Sequence, residues 1–299
     1  MFKSNSGFHG VYPMMYTFFD QNGDVSEEPV RACVNSMVQH KVQGLAVLGL
    51  ASEVNKLSRQ NRIKMLELVC ETNAKRIPIS VTVSENSVSG QIEFGKIAIE
   101  YGADWLVLQP PPVSNIDEGQ LVEFFSSVIR DLNIPIGIQN APHYLGIGLS
   151  HAGIYELMKR HDNFVLIKTE CNSSDIAKLA EATEGRIDIF NGVGGSEFPD
   201  VLRGGAVGII PGGESFDMFA RIYAAMRNKR EDEAEKLYRE TLPLIVFLDN
   251  NIDHLVTYGK IAIAKRLGID AGSPPIPATI CSKFGLEVIQ RYIDALPKL

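Results

Sequence analysis

One segment of the chain ends an apolar run with a lysine and a glutamate. Residues 164–170 are apolar and partly β-branched up to Lys168, which predicts a buried strand. Burial disfavours the charged form of a lysine side chain, and the neutral amine is a nucleophile that attacks a ketone to give a Schiff base. Because side chains on a strand alternate, Glu170 is expected on the same side as Lys168, where its carboxylate can move protons. The pair predicts imine chemistry, with a structural ion pair at a strand end as the alternative.

Two further strand ends carry polar or small residues. Gln139 and Asn140 place two amides at the end of an apolar run; they exchange hydrogen bonds but are neither acids nor bases near neutral pH. The turn at 49–53 contains Ala51 and Ser52, whose backbone N–H groups and hydroxyl are of the kind that holds a carboxylate. A plain strand–helix turn with a capping serine is the alternative for this segment.

Glycine-rich loops follow two other predicted strands. Gly192 lies in the loop at 191–197, and Ile209 and Gly212 lie in the segment 209–213. Glycine permits close approach of the backbone to a ligand, so we predict that Gly192, Ile209 and Gly212 bind substrate. The first loop lacks the third glycine of a dinucleotide-binding fingerprint.

A regular alternation of strands and helices positions these segments. Eight short apolar runs bounded by proline or glycine predict buried parallel strands at 10–18, 44–50, 78–83, 105–109, 134–139, 164–170, 187–191 and 207–210. Helical periodicity predicts helices at 27–40, 59–73, 87–101, 119–132, 150–161, 175–184, 197–203 and 215–227, and then at 231–249, 254–267 and 284–296. This order predicts a (β/α)8 TIM barrel of residues 1–228 with a C-terminal helical extension of residues 229–299. An open, doubly wound sheet is the alternative, but it normally carries a phosphate-binding loop.

Composition restricts the partners. With 29 Lys and Arg against 36 Asp and Glu, the net charge of −7 disfavours nucleic acid and anionic membranes as partners. No run reaches the roughly 18 apolar residues of a membrane span, and the first ten residues lack the apolar stretch of a signal peptide. The four cysteines are far apart, which disfavours a structural metal. We expect a cytoplasmic protein with reduced thiols.

Four motifs together resemble the dihydrodipicolinate synthase / N-acetylneuraminate lyase family. They are GLASE at 49–53, QNAP at 139–142, IKTE at 167–170 and GIIPGG at 208–213, and the likeness extends over essentially the whole chain. The resemblance implies a class I Schiff-base lyase on a (β/α)8 barrel, with Lys168 as the imine lysine. It also implies a small-molecule 2-keto acid substrate, no metal or organic cofactor, and a homo-oligomer, either a dimer or a tetramer.

The chain departs from the family at several functional positions. Members that make or break C–C bonds carry a proton-relaying tyrosine where this chain has Gln139, and usually a threonine pair where it has Leu50 and Ala51. The synthase also carries a tyrosine where this chain has Pro112 and an arginine where it has Tyr144. Dihydrodipicolinate synthesis is therefore not expected.

Gln139 together with Lys168 and Glu170 looks like the branch that includes L-2-keto-3-deoxyarabonate dehydratase, although that branch has an aspartate where this chain has Asn140. The resemblance implies an imine on Lys168, proton removal by Glu170, hydroxyl or water orientation by Gln139, and carboxylate binding near Ser52. Two alternatives remain. One is another aldolase or lyase in which Glu170 replaces the tyrosine, and the other is an inactive barrel that binds a keto acid.

Overall fold

Eight parallel strands form one closed sheet in a computed structural model that describes residues 4–113 and 116–299. The strands, in chain order, are β1 Gly10–Val11, β2 Leu45–Val47, β3 Ile79–Val83, β4 Trp105–Leu108, β5 Ile136–Asn140, β6 Phe164–Thr169, β7 Asp188–Asn191 and β8 Gly208–Ile209. Their hydrogen-bonded order is β1-β8-β7-β6-β5-β4-β3-β2. Met14 bridges to both Ala46 and Gly212, which joins the two ends of the sheet. The sheet is therefore a barrel, as predicted, and not the open alternative.

Helices surround the barrel and continue beyond it. They are α1 Glu27–Gln39, α2 Arg59–Asn73, α3 Val88–Tyr101, α4 Glu118–Arg130, α5 Pro142–Leu145, α6 His151–Arg160, α7 Ser173–Ala182, α8 Phe198–Arg203, α9 Phe216–Arg227, α10 Glu231–Leu248, α11 Ile252–Leu267 and α12 Lys283–Asp294. Every predicted strand and helix is present, and apart from the first strand the shifts at their ends are small. The short α5 was not predicted, because its four residues are too few to show a helical period.

The first strand is shorter than its apolar run. The sequence predicts a strand over residues 10–18, but β1 ends at Val11. Pro13 has no N–H group for the sheet, although its carbonyl still accepts from Ala46 N at 3.1 Å. Residues beyond it remain buried without belonging to a regular strand.

Aromatic rings fill part of the barrel interior. The rings of Tyr12, Trp105 and Phe190 contact one another with centroids 5.3–5.6 Å apart, and all three side chains are buried. Gly44 makes room for them, since a methyl group there would overlap the ring of Tyr12. Because close-packed rings exclude water, they give the interior an apolar wall.

Buried ion pairs tie the C-terminal helices to the barrel. Arg266 of α11 donates to both carboxylate oxygens of Asp217 in α9, at 2.7 and 2.9 Å, and both side chains are almost fully buried. Arg266 also donates to the carbonyl of Glu214 at 2.9 Å. A single apolar cluster runs from Val11 to Leu296. The C-terminal helices are present as predicted, while the division between residues 228 and 229 stays a prediction; residues 1–3, 114 and 115 of the proposed barrel domain lie outside the described residues.

The turn between α10 and α11 is short. It consists of residues 249–251, and the Asn251 side chain caps α11 by accepting from His254 N at 2.9 Å. This anchoring brings the end of α10 to the barrel, where Asp249 lines the same cavity as Lys168.

Candidate active site

Lys168 and Glu170 meet at the carboxyl end of β6. The Lys168 ammonium nitrogen donates directly to Glu170 Oε1, and the two side chains are only 6% and 9% exposed. In the sheet, Lys168 lies level with Gln139 of β5 and Phe190 of β7. Two-residue alternation thus places the amine and the carboxylate on one side of the strand. An amine beside a carboxylate in a buried site is suited to imine chemistry with local proton transfer.

The loop after β7 holds the second oxygen of Glu170. Val193 N donates to Glu170 Oε2 at 2.5 Å. Val193 has φ of +46°, an unfavourable conformation for a β-branched residue, so backbone strain accompanies this contact. A methyl group on Gly192 would overlap the Glu170 carboxylate, which explains why glycine stands there. Both oxygens of Glu170 are therefore fixed by named donors.

Gln139 is held next to Lys168 by another buried amide. Its Oε1 accepts from Gln109 Nε2 at 2.8 Å, and Gln91 Nε2 in turn donates to the carbonyl of Gln109 at 2.7 Å. Gln139 is 1% exposed, and its Nε2 has no hydrogen-bond partner among the described residues. A buried amide donor without a partner usually has one in a bound water or ligand. Gln139 lies level with Lys168 in the sheet and, among the described residues, has a free amide donor, although it does not line the cavity that contains the amine.

In the turn after β2, Ala51 lines the cavity that contains Lys168 and Ser52 does not. The Ser52 hydroxyl is fully buried and donates to the carbonyl of Met15 at 2.6 Å, while the Ser52 carbonyl accepts from Thr17 at 2.8 Å. The hydroxyl proton of Ser52 is therefore used to fix the turn, and Ala51 is the member of the pair that faces the cavity.

The other predicted substrate-binding residues divide between two sides of the sheet. Gly192 and Gly212 line the cavity with Lys168. Ile209 is buried and does not line it, whereas the next residue, Ile210, does. Asn140 exchanges two hydrogen bonds of 2.9 Å with the backbone of Leu149. Residues one position apart on a strand face opposite sides, which accounts for both Ile209 and Asn140.

Two residues that the sequence did not assign to the site also line this cavity. Asp249 follows the last residue of α10, and Tyr144 belongs to α5. Burial, and then the negative charge of Glu170, raises the pKa of Asp249 to about 6. Burial, together with the charges of Glu170 and Asp249, also raises the pKa of the Tyr144 phenol. The site thus contains a second carboxyl group and a phenol besides the lysine and glutamate.

Glu170 separates two spaces. The inner cavity, with Lys168 and Asp249, has a volume of about 50 Å³. A water molecule needs about 10–15 Å³ on this measure, so a keto acid of more than a few non-hydrogen atoms requires the side chains that line the inner cavity to move apart. A larger outer cavity of about 580 Å³ lies at the ends of β5 and β6 and is lined by Glu170, Asn140, His143 and Cys171, among others. In the parts of the chain that the structure describes, no three His, Cys, Asp or Glu side chains converge as metal ligands would.

A second buried lysine lies outside this cavity. Lys260 of α11 donates to Glu53 Oε2, and its ammonium nitrogen lies 5.0 Å from the centre of the Phe19 ring. Burial lowers the pKa of Lys260. It lines a separate cavity of about 250 Å³ together with Lys56. Because Glu53 also pairs with Lys56 at 3.1 Å, this cluster fits a structural role that ties α11 to the turn after β2.

Comparison with known proteins identifies the family. Residues 7–288 match the dihydrodipicolinate synthetase family, and the chain belongs to that family. It is 27% identical over 287 residues to 4-hydroxy-tetrahydrodipicolinate synthase of Oenococcus oeni, an alignment that covers 93% of this chain and 94% of that protein. Members of the family are Schiff-base aldolase-type lyases, and the enzyme class of this chain follows from its membership.

Solved structures show the same fold. A sialic acid aldolase of Ruminococcus gnavus, a catalytic lysine mutant, superposes with a TM-score of 0.87 at 21% identity, covering 99% of this chain and 97% of that one. YagE of E. coli K12, a prophage protein of the dihydrodipicolinic acid synthase family in complex with pyruvate, superposes with a TM-score of 0.88 at 18% identity, covering 97% and 99%. Among the residues that the structure describes, no helix combines the length and apolar character needed to cross a bilayer.

Proposed function

We propose that this chain is a class I Schiff-base lyase that dehydrates a 2-keto-3-deoxy sugar acid. The substrate is similar to L-2-keto-3-deoxyarabonate and the product is α-ketoglutarate semialdehyde. One observation carries the proposal: Glu170 contacts the Lys168 amine, while the neighbouring position, where C–C lyases of the family have a tyrosine, holds the amide of Gln139. The proposed catalytic groups are therefore Lys168, Glu170 and Gln139.

The first step is formation of the imine. With its proton passed to Glu170, the Lys168 amine attacks the C2 ketone, and the C2 oxygen leaves as water. The protonated imine withdraws electrons from C3. The substrate carboxylate at C1 would lie between the Ala51 turn and Gly212, which both line the cavity.

Glu170 then removes a proton from C3. Because its carboxylate already touches the lysine nitrogen, it lies within reach of a carbon one bond from the imine carbon. The resulting enamine expels the C4 hydroxyl as water. Cleavage of the C3–C4 bond would instead require a base on the C4 hydroxyl, and the amide of Gln139 cannot serve as one. Dehydration is therefore favoured over retro-aldol cleavage.

A substitution at Glu170 tests the proposal. Glu170→Gln keeps the shape and removes the base, so turnover should fall about 10²–10⁴-fold while borohydride still traps a keto acid on Lys168. Glu240→Gln is the matched control, because its side chain is 47% exposed on α10. Normal turnover in the Glu170 variant would refute the assigned role.

An aldolase that cleaves a related 2-keto acid is the second candidate. Tyr144 favours it, because its phenol lines the cavity and supplies the kind of group that Gln139 lacks. The products distinguish the two reactions: an aldolase releases pyruvate and an aldehyde, whereas the dehydratase releases the semialdehyde.

We also propose a cellular location, a class of partner and an oligomeric state for this enzyme. The net charge of −7 and the four free cysteines support a cytoplasmic enzyme that acts on small molecules and binds neither nucleic acid nor membranes. The reaction as written needs no metal or organic cofactor. A homodimer or homotetramer is expected from the family resemblance, and size-exclusion chromatography with light scattering tests it.

A further inference from the structure

Asp249 has a position in the cavity that the chemistry above does not use. It follows α10, in the C-terminal extension, and lines the cavity together with Lys168, Glu170 and Tyr144. A methyl group on Gly194 would lie 3.4 Å from the Asp249 carboxyl carbon. Glu170 and Asp249 therefore flank the same loop, with Glu170 at Gly192 and Asp249 at Gly194.

The two carboxyl groups differ in their hydrogen bonds. Glu170 uses one oxygen on the Lys168 amine and the other on Val193 N. The Asp249 carboxyl makes no hydrogen bond or ion pair within residues 4–113 and 116–299, although it is half-buried and faces the cavity. A half-buried carboxyl without an internal partner is free to exchange a proton with a bound molecule.

Charge around Asp249 favours its protonated form. Its backbone N–H bonds to the carbonyl of Ile245 at the carboxyl end of α10, where a negative charge is disfavoured. Glu170 lines the same cavity, and its negative charge raises the pKa of Asp249. Glu214 is also buried, and its pKa is raised by burial and, to a smaller extent, by the charge of Asp249. Lys168 opposes these effects, but its ammonium group is bonded to Glu170.

We propose that Asp249 is the acid that protonates the departing C4 hydroxyl and then the base that removes a proton from C5. This inference rests on the proposed dehydratase function. It assigns opposite tasks to the two carboxyl groups: Glu170 acts at C3, beside the imine, and Asp249 acts at C4 and C5, farther from it.

The proton transfers balance over one turnover. Glu170 takes a proton from C3, and the enamine breaks the C4–O bond as Asp249 protonates the oxygen, which leaves as water. The Asp249 carboxylate then takes a proton from C5, giving a dienamine, and Glu170 returns its proton to C3. The remaining C5 enol becomes the aldehyde by gaining a proton at C4 and losing one from oxygen. Hydrolysis of the imine consumes one water and restores Lys168, Glu170 and the protonated Asp249.

The arrangement also restricts the distal end of the substrate. Asp249 and Tyr144 line the cavity at this end, with Glu170 nearer the imine, and a second substrate carboxylate would need a cation such as arginine there. An anionic group there would meet the negative charge of Glu170 and, once it is ionised, of Asp249, and would be repelled. The site therefore disfavours a distal carboxylate or phosphate and is compatible with an uncharged distal hydroxyl group.

Three variants and two reactions test the proposal. Proton–deuterium exchange at the methyl group of pyruvate in D2O needs only the imine and Glu170, whereas dehydration of 2-keto-3-deoxyarabonate also needs Asp249. Asp249→Asn should therefore exchange pyruvate protons within about threefold of wild type but dehydrate about 10²–10⁴-fold more slowly. Glu170→Gln should lose both reactions. Asp253→Asn, the same change at an exposed residue of α11, should lose neither.

Several outcomes would overturn the assignment. Dehydration by Asp249→Asn within about threefold of wild type would remove Asp249 from the reaction. An equal loss of exchange and dehydration would show that Asp249 only supports the structure. If the wild type exchanges pyruvate protons but dehydrates no sugar acid, both the proposed dehydratase function and the acid role of Asp249 would be refuted.

The pH profile gives an independent readout. In the wild type, kcat/KM for dehydration should fall as pH rises through the pKa of Asp249, about 6, because the acid must be protonated. Pyruvate exchange should lack this falling limb. A dehydration profile without a decline near this pH would contradict the role.

Discussion

Gly192→Ala displaces the Glu170 carboxylate without changing the chemical identity of either catalytic side chain. A methyl group at this position would overlap both Glu170 oxygens. The Glu170 carboxylate is already confined between the Lys168 amine and Val193 N, so it cannot move aside without losing one of these contacts.

The size of the effect follows from the displacement. Relief of the overlap requires the carboxylate to move by roughly 1 Å, and a misplacement of this size can cost about 10²-fold in rate. We therefore expect kcat for dehydration to fall about 10²-fold, with an equal fall in pyruvate exchange, because both reactions need Glu170 at C3. Imine formation on Lys168 should persist, since the three atoms nearest to the added methyl group all belong to Glu170.

The assay compares three signals on one protein sample: semialdehyde formation, pyruvate exchange in D2O and borohydride trapping. Gly119→Ala in α4 is the control, because its added methyl group would approach only the capping carboxylate of Asp117, at 3.2 Å. Retention of kcat in Gly192→Ala within about threefold of wild type would refute the argument that Glu170 acts from its fixed position.

Three further perturbations have defined outcomes. Tyr144→Phe removes one hydrogen-bonding group at the distal end, so KM should rise about 2- to 10-fold with little change in kcat, as measured by steady-state kinetics. Asp249→Asn should raise the melting temperature at pH 8 but not at pH 4. The pKa of Asp249 is about 6 in the folded state against an ordinary value of 3.8, so the ionised carboxylate destabilises the folded state at pH values above about 6 and the neutral amide does not. Arg266→Met leaves Asp217 buried without its partner and should lower the free energy of unfolding by about 3–5 kcal/mol in urea titrations, whereas an unchanged midpoint would contradict the anchoring role.

The sequence predicted the barrel because its signals are local. Each buried strand is a short apolar run, and each helix has its own period, so the fold follows from the order of elements. Cap residues were predictable for the same reason: Ser58 accepts from Asn61 N at 3.1 Å at the start of α2, and Gly102 ends α3 with φ of +106°.

Lys168 and Glu170 were predictable because they lie two residues apart at the end of one predicted strand, and alternation decides which side each faces. The orientation of other residues at strand ends was harder to predict. Ile210 lines the cavity where Ile209 was expected, and a shift of one residue reverses the side. The Ser52 hydroxyl binds the Met15 carbonyl, a contact across 37 positions of sequence that no local pattern reveals.

Asp249 could not be predicted for a different reason. It lies in a turn between two helices, and nothing in its own segment indicates that the turn meets the barrel. Its position depends on long-range anchors such as Arg266 with Asp217 and Lys260 with Glu53. Tyr144 could be located by its resemblance to the family, in which the synthase has an arginine at that position. That its side chain lines the cavity depends on the orientation of α5, which the sequence does not reveal.

The most direct measurement of the central claim combines trapping with product identification. The protein is incubated with 2-keto-3-deoxyarabonate, one portion is reduced with borohydride and digested, and both portions are analysed by mass spectrometry. We predict a single adduct on the peptide that contains Lys168, with α-ketoglutarate semialdehyde as the product. An adduct on Lys260, which is also buried, or the release of pyruvate in place of the semialdehyde, would contradict the account.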